Sequence, residues 1–138
     1  MDQNTRLCFV GTGPQEDELK EFFKGTNTVF TGQLHGDDLS KAFASADVFL
    51  MPSDSETLGF VVLESMASGV PVIGANAGGI PSLIHDGETS FLVPPGDVDA
   101  YVDRLTLLQQ NPTLKKNIGI KARREAEQWS WEVSYWIL

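Results

Sequence analysis

Short apolar runs alternate with amphipathic segments along the whole chain. The predicted strands are brief apolar runs that end in glycine, proline or small polar residues; they are Leu7 to Val10, Thr28 to Thr31, Asp47 to Met51, Val70 to Gly74 and Phe91 to Val93. The predicted helices lie between and after them: Gln15 to Lys24, Asp37 or Asp38 to Ala46, Leu58 to Ser68, a short one near Pro81 to Ile84, and two more from Asp97 and from Pro112. Nearly all-apolar strands separated by helices predict an α/β fold with a parallel sheet covered on both faces.

Local signals add detail to four of these helices. The first is expected to carry Leu19, Phe22 and Phe23 on one side, and Asp37 or Asp38 is expected to cap the second. Asp97 is expected to cap a helix with an apolar stripe, made of Val98, Tyr101, Val102, Leu105 and Leu108. The helix from Pro112 carries half of the chain's Lys and Arg residues on what is expected to be a solvated face, and the three tryptophans after it are expected to pack the tail onto a neighbour.

Loops with candidate ligand-binding residues follow four of the strands. They are Gly11 to Pro14, Gly32 to Gly36, Pro52 to Glu56 and Ala75 to Gly79. Parallel sheets bind ligands at the carboxyl ends of their strands. One edge of a single sheet is therefore expected to collect all four loops.

Composition limits the classes of function. A chain of 138 residues with 41% hydrophobic residues is one domain with a real core, and a net charge of −9 without a long basic run argues against nucleic-acid binding. The single Cys8 lies in an apolar strand and is expected to be a buried, inert thiol. No apolar run approaches the roughly 18 residues of a transmembrane helix. The chain enters its first strand abruptly, which suggests a piece of a larger protein.

Two glutamates flank the start of a mostly apolar helix in SETLGFVVLESMASGVPV. Glu56 precedes the helix, and Glu64 lies on it about two turns further on. Free amides at the helix N-terminus bind phosphate, and carboxylates accept hydrogen bonds from hydroxyls. Because residues 58 to 66 are almost wholly apolar, the helix is expected to be buried on most of its surface, where an unsatisfied carboxylate is costly. The pair predicts a site for a ligand with both phosphate and hydroxyl groups.

Two upstream loops are weaker candidates. In Gly11-Thr12-Gly13-Pro14 a dinucleotide fingerprint would need glycine where Glu16 stands, so a tight strand-to-helix turn explains the glycines better. Gly13 still permits close approach of a ligand to the backbone. Leu34 is a candidate wall of a base pocket, with a plain turn as the alternative, and His35 is interpreted as a surface residue.

The run ETLGFVVLESMASGVPVIGANAGGIPSLIHDGETSFLVPPGD resembles the signature of the retaining glycosyltransferases of family 4. Its parts are two glutamates with seven residues between them, then Ala-x-Gly-x-Pro-Val, Gly-Gly-x-Pro and a closing Leu-Val. The upstream FVGTGP and VFTGQLHGDDLS fit the same order, so the resemblance covers about residues 6 to 128. Within the family the chain is similar to plant and algal sulfolipid synthases, the sulfoquinovosyltransferases.

The resemblance implies a Rossmann-like parallel sheet flanked by helices, the C-terminal, donor-binding half of a two-domain GT-B enzyme. By the motif, Glu56 would contact the donor sugar as the catalytic group, and Leu34 would border the base. Leu58, Gly59 and Phe60 would offer backbone amides to sugar and diphosphate, and Glu64 would hold the ribose. No metal and no cofactor is implied.

Three departures from the family pattern set the expected limits. The family's diphosphate-binding Arg and Lys lie on a strand upstream of FVGTGP, the N-terminal acceptor domain is absent, and Ser82 replaces a frequent acidic residue. The parent is expected to be a retaining glycosyltransferase, and this piece alone is expected to be inactive.

The resemblance implies a UDP-sulfoquinovose donor and, through the missing domain, a diacylglycerol acceptor, at a plastid or cytoplasmic membrane face. Alternatives are another donor with a phosphatidylinositol, sucrose or polysaccharide acceptor, and a non-catalytic nucleotide-binding module.

Overall fold

The computed structural model describes residues 6–10, 13–34, 36–51 and 59–137, with the side chains of residues 62–128 in the last range. The chain divides into two compact units, residues 1–39 and 40–138. Each unit is built around its own parallel strands.

The first unit is a two-stranded parallel sheet with one helix. Strands β1 (Leu7–Phe9) and β2 (Thr28–Phe30) pair in register, and helix α1 (Glu16–Phe22) connects them. Phe9 stacks on Phe30 with ring centroids 5.0 Å apart and contacts Phe23 at 5.5 Å. Of the three apolar residues expected on one side of α1, Leu19 and Phe23 are half-buried, whereas Phe22 is 79% exposed. Two strands form too narrow a surface to cover three large side chains from one short helix.

Cys8 is exposed, and the expectation of a buried thiol is wrong. Alternation along β1 places Leu7 and Phe9 on the face that packs and Cys8 on the other face. Its register partner Val29 is 59% exposed on that same side. An apolar strand predicts burial on both faces only when both faces are covered, and among the described residues this face is not.

The second unit contains a three-stranded parallel sheet and most of the helices. Helix α2 (Gly36–Ala44) begins in the first unit and ends in the second. The remaining elements in chain order are β3 (Phe49–Met51), α3 (Gly59–Ala67), β4 (Val72–Ala75), a 3₁₀ turn (Ile80–Ser82), β5 (Phe91–Val93), α4 (Val98–Gln110) and α5 (Pro112–Ile137). The sheet order is β3-β4-β5, with all neighbours parallel.

Strand β4 is the centre of the second unit's core. Val72 packs in a cluster with Val62 and Met66 of α3, while Ile73 packs with Phe91 of β5 and Leu108 of α4. All four residues of β4 are buried, as the apolar run predicts. The parallel α/β class is therefore confirmed.

The expected single sheet is not found in the described part of the chain, where the five strands form two sheets. Alternation of strands and helices predicts the direction of the strands, because each helix returns the chain to the same end of the sheet. It does not determine which strand edges pair. The expectation that one edge of a single sheet collects all four loops is therefore not met among the described residues, and the loop Pro52 to Glu56 lies outside them.

Strand β4 begins two residues later than predicted. The chain leaves α3 through Gly69, whose φ of 74° is in the left-handed region, and Val70 N–H donates to the Ser65 carbonyl oxygen at 3.0 Å. Ser65 Oγ returns a hydrogen bond to the Val70 carbonyl, and the buried Ser90 Oγ accepts from Val72 N–H at 2.8 Å. These bonds satisfy the backbone between helix and strand, so regular pairing starts only at Val72.

Two helix details differ from expectation. Helix α2 begins at Gly36, so Asp37 and Asp38 lie in its first turn instead of at the cap. In α4 the predicted stripe is wrong at Val98 and Val102, which are 69% and 52% exposed. Ala100 and Leu107 pack on the core instead, together with Tyr101, Leu105 and Leu108. A rotation of the buried face by part of a turn explains the difference, since several overlapping stripes have helical spacing.

The cap of α4 is confirmed and gives a first prediction. Asp97 Oδ1 accepts a hydrogen bond from Ala100 N–H at 3.0 Å. Replacing Asp97 by alanine should lower the free energy of unfolding by about 1 kcal/mol, because one helix-terminal amide loses its partner. Urea denaturation measures the change. Asp103→Ala, at an exposed position inside the same helix, is the matched control and should change stability less; equal effects would contradict the capping role.

Candidate functional site

The carboxyl ends of the three strands of the second unit lie at one edge. Met51 pairs in register with Gly74, and Ala75 with Val93, so the three strands end within one residue of each other. The loop after β4 continues from this edge into the 3₁₀ turn, where Ser82 Oγ donates to the Gly79 carbonyl at 2.6 Å. This is the edge at which parallel sheets bind ligands.

Glu64 lies on an exposed side of α3. Its helix neighbours Val62, Ser65 and Met66 are fully buried, so the expectation that the helix is buried on most of its surface is wrong at Glu64. The apolar run in the sequence contains more residues than the stripe of α3 that packs on the core. Because this carboxylate is exposed, it needs no partner to offset a cost of burial. Its assignment as a ligand-binding residue therefore depends on its position on α3 and on the motif. Its exposure leaves it accessible to a ligand.

The other predicted residues of this motif are only partly described. Helix α3 begins at Gly59, so Gly59 and Phe60 lie in its first turn. That turn contains no acidic residue. Amides in a first helical turn lack partners within the helix. Glu56 and Leu58 lie outside the described residues, as does His35. The structure thus places Gly59, Phe60 and Glu64 on one helix.

Gly13 and Leu34 belong to the first unit. The turn at Gly13 connects β1 to α1, where Glu16 N–H donates to the Gly13 carbonyl at 3.2 Å. A Cβ added to Gly13 would meet no atom within 4 Å, and the residue borders an open cavity of about 280 Å³. That cavity is lined by Phe9, Val10, Gly13, Pro14, Gln15, Glu16, Leu19 and Phe30. Leu34 is half-buried and is not part of its lining.

Tyr101 is a residue at the sheet edge that the sequence did not single out. Its hydroxyl donates to the carbonyl oxygen of Met51, the last residue of β3, at 3.3 Å. Burial raises the pKa of Tyr101 and so favours the protonated phenol, which is the form that donates this hydrogen bond. The contact joins residues fifty positions apart, and tyrosine on an apolar helix stripe predicts only packing. No signal within the local sequence distinguishes it.

Within the described part of the chain, no group of three or more His, Cys, Asp or Glu side chains comes together to hold a metal ion. The same residues contain no helix that is long and apolar enough to cross a membrane.

The chain belongs to the glycosyl transferases group 1 family, whose family model matches residues 1–111. The match includes strands β1 to β5, helices α1 to α4 and all the predicted site residues. The Rossmann-like architecture that the motifs predict is therefore the architecture of the family to which this chain belongs.

Two curated relatives show the range of chemistry around this chain. It is 49% identical over 132 residues to the sulfoquinovosyl transferase SQD2 of Arabidopsis thaliana, covering 94% of the chain and 26% of that protein. It is 34% identical over 124 residues to the N-acetyl-alpha-D-glucosaminyl L-malate synthase of Bacillus anthracis, covering 87% of the chain and 32% of that protein. The chain thus spans about a quarter to a third of the length of these relatives.

Solved structures share the fold. A sucrose-phosphate synthase from Thermosynechococcus elongatus matches with a TM-score of 0.79 and 29% identity, over 89% of this chain and 34% of that one. The HepE protein of Anabaena, solved in complex with UDP-glucose, matches with a TM-score of 0.78 and 25% identity, over 89% of this chain and 36% of that one. The structural neighbours are GT-B glycosyltransferases, and a neighbour of this fold binds a UDP-sugar.

Proposed function

We propose that this chain is the donor-binding domain of a retaining glycosyltransferase that takes sulfoquinovose from UDP-sulfoquinovose and transfers it to diacylglycerol. The observation that carries the proposal is the 49% identity, over 94% of the chain, with a sulfoquinovosyl transferase. The UDP-glucose complex of the Anabaena neighbour supports a UDP-sugar as the donor. The relatives' greater length supports an acceptor domain outside this chain.

Each proposed site residue has a role in this chemistry. The first-turn amides of Gly59 and Phe60, with that of Leu58, would bind the diphosphate, because a helix N-terminus favours negative charge. As the sugar leaves the diphosphate, charge develops on that leaving group, and the same amides would stabilise it. Glu64 would accept hydrogen bonds from the ribose hydroxyls, and Glu56 would contact the hydroxyls of the transferred sugar.

Two residues of the first unit complete the proposal. Gly13 would allow the donor to approach the backbone, which agrees with the open space beside it. Leu34 would border the uracil base. The diphosphate-binding Arg and Lys would come from a segment that precedes this chain in the full-length protein, so we propose that the 138-residue chain alone does not catalyse transfer.

A second candidate is transfer with another donor and acceptor, which the 34% identity to an N-acetyl-glucosaminyl L-malate synthase favours. In that case the same edge of the sheet would bind a different sugar, and the acceptor would be set by the rest of the protein.

A donor-competition assay tests the choice between these candidates. The full-length protein should transfer sugar to diacylglycerol from UDP-sulfoquinovose at least about tenfold faster than from UDP-glucose, since a site built for the sulfonate leaves polar groups unpaired with other sugars. Product formation by mass spectrometry measures the rates, and the 138-residue chain alone is the negative control. Equal or faster transfer from UDP-glucose or GDP-mannose would contradict the sulfoquinovose assignment.

A further inference from the structure

The positive charge of this acidic chain is concentrated at one end. Residues 112–138 contain five Lys and Arg and three Glu, a net charge of +2, whereas residues 1–111 carry −11. Lys115, Lys116, Lys121, Arg123 and Arg124 all lie within ten residues of α5. Most cation-rich helix faces only interact with water, so this concentration needs a second observation before it indicates a partner.

The second observation is how α5 is oriented. Ile118, Ala122 and Ala126 are buried in the core of the second unit, so the opposite side of the helix faces outward. Lys116, Ile120, Arg123 and Arg124 lie at i, i+4, i+7 and i+8 and thus share that outer side. The three charged side chains are exposed, and Ile120 between them is 43% exposed. These four residues form the outer face of α5, which spans about 12 Å along the helix.

The charges on the outer face of α5 are only partly neutralised. Arg123 Nε lies 3.5 Å from Glu127 Oε1, and both side chains are mostly exposed, so this pair is weak. Lys115 contacts Asp47 at 2.6 Å and is turned away from the outer face. Among the described residues, no ion pair involves Lys116 or Arg124. The face therefore presents free cations around an apolar side chain.

We propose that the outer face of α5 docks on an anionic lipid bilayer. Cations near an anionic membrane surface are attracted to it, and an isoleucine among them contacts the apolar boundary of the headgroups. Binding of a nucleic acid would not be strengthened by the apolar side chain of Ile120. Docking by this face brings the most basic segment of the chain to the bilayer. The proposal is independent of the transfer chemistry, because the vesicles that test it contain neither donor nor acceptor.

Vesicle co-sedimentation of the full-length protein tests the proposal. Phosphatidylcholine vesicles with and without phosphatidylglycerol are compared for two variants with the same change in net charge. Lys116→Glu with Arg124→Glu should weaken binding to anionic vesicles at least about tenfold, since two attractive charges are reversed. Lys24→Glu with Lys41→Glu, two exposed lysines far along the chain from α5, should bind close to wild type. Thermal melts check that both variants are folded.

Three results would overturn docking by this face. One is equal binding of the two variants to anionic vesicles. Another is binding by the wild-type protein that does not depend on phosphatidylglycerol or on salt, because attraction between exposed charges is screened by salt. The third is tighter binding to duplex DNA than to vesicles with the same sensitivity to the Lys116 and Arg124 changes, which would assign the face to nucleic acid.

Discussion

Replacing Gly119 by alanine is expected to lower the free energy of unfolding by about 2–3 kcal/mol, although alanine is the better helix former. Gly119 lies inside α5, where glycine itself costs about 1 kcal/mol relative to alanine. A Cβ at this position would clash with the carbonyl oxygen of Gly69, just beyond the end of α3. That oxygen belongs to the backbone and cannot rotate away, so either α5 or the turn at Gly69 must move.

The expected loss is large because α3 and α5 share one packed interface. Met66 of α3 and Ala122 and Ala126 of α5 belong to the same buried cluster. Shifting either helix would loosen that cluster and the turn that leads into β4. Urea denaturation followed by far-ultraviolet circular dichroism measures the change. Asn117→Ala, two residues away on an exposed position, is the control and should be neutral or slightly stabilising. A Gly119→Ala protein as stable as the Asn117→Ala protein would contradict this packing.

The elements that local sequence determines were predicted well. Strand β5 has the predicted bounds, and Asp97 caps α4 as expected, because a cap depends only on residues within one helical turn. Features that depend on distant partners were predicted poorly. The exposure of Cys8 depends on whether a second layer covers β1, and the division into two sheets depends on pairing between strand edges.

In the candidate site, too, local features were predicted better than features that depend on distant partners. The sequence around α3 predicted a helix from Leu58 to Ser68, and the structure describes this helix as Gly59–Ala67. Local composition predicted that most of the surface of α3 is buried and was wrong at Glu64, because the apolar run is longer than the stripe of the helix that packs. The contact of Tyr101 with Met51 could not be predicted from the sequence, since it depends on how α4 lies against β3. Roles for Glu56, Glu64, Leu34 and Gly13 remain predictions from the motif.

Replacing Glu64 by alanine is expected to weaken UDP binding to the full-length protein by about tenfold to a hundredfold. A hydrogen bond to a charged group contributes about 1.5–3 kcal/mol, and the ribose offers two hydroxyls to one carboxylate. The fold should not suffer, because the side chain is exposed and its neighbours on the helix carry the packing. Glu88→Ala, at an exposed glutamate in a turn, is the matched control and should bind UDP like the wild type.

Calorimetry with UDP and with 2′,3′-dideoxy-UDP, on the wild-type and Glu64→Ala proteins, tests most directly whether this chain holds a nucleotide through its ribose. If Glu64 binds those hydroxyls, the substitution weakens binding of UDP and leaves binding of the dideoxy nucleotide almost unchanged, because the two changes remove the same interaction. Equal UDP affinity of the two proteins, or an equal loss for both nucleotides, would contradict the assignment of Glu64 and the donor site built on α3.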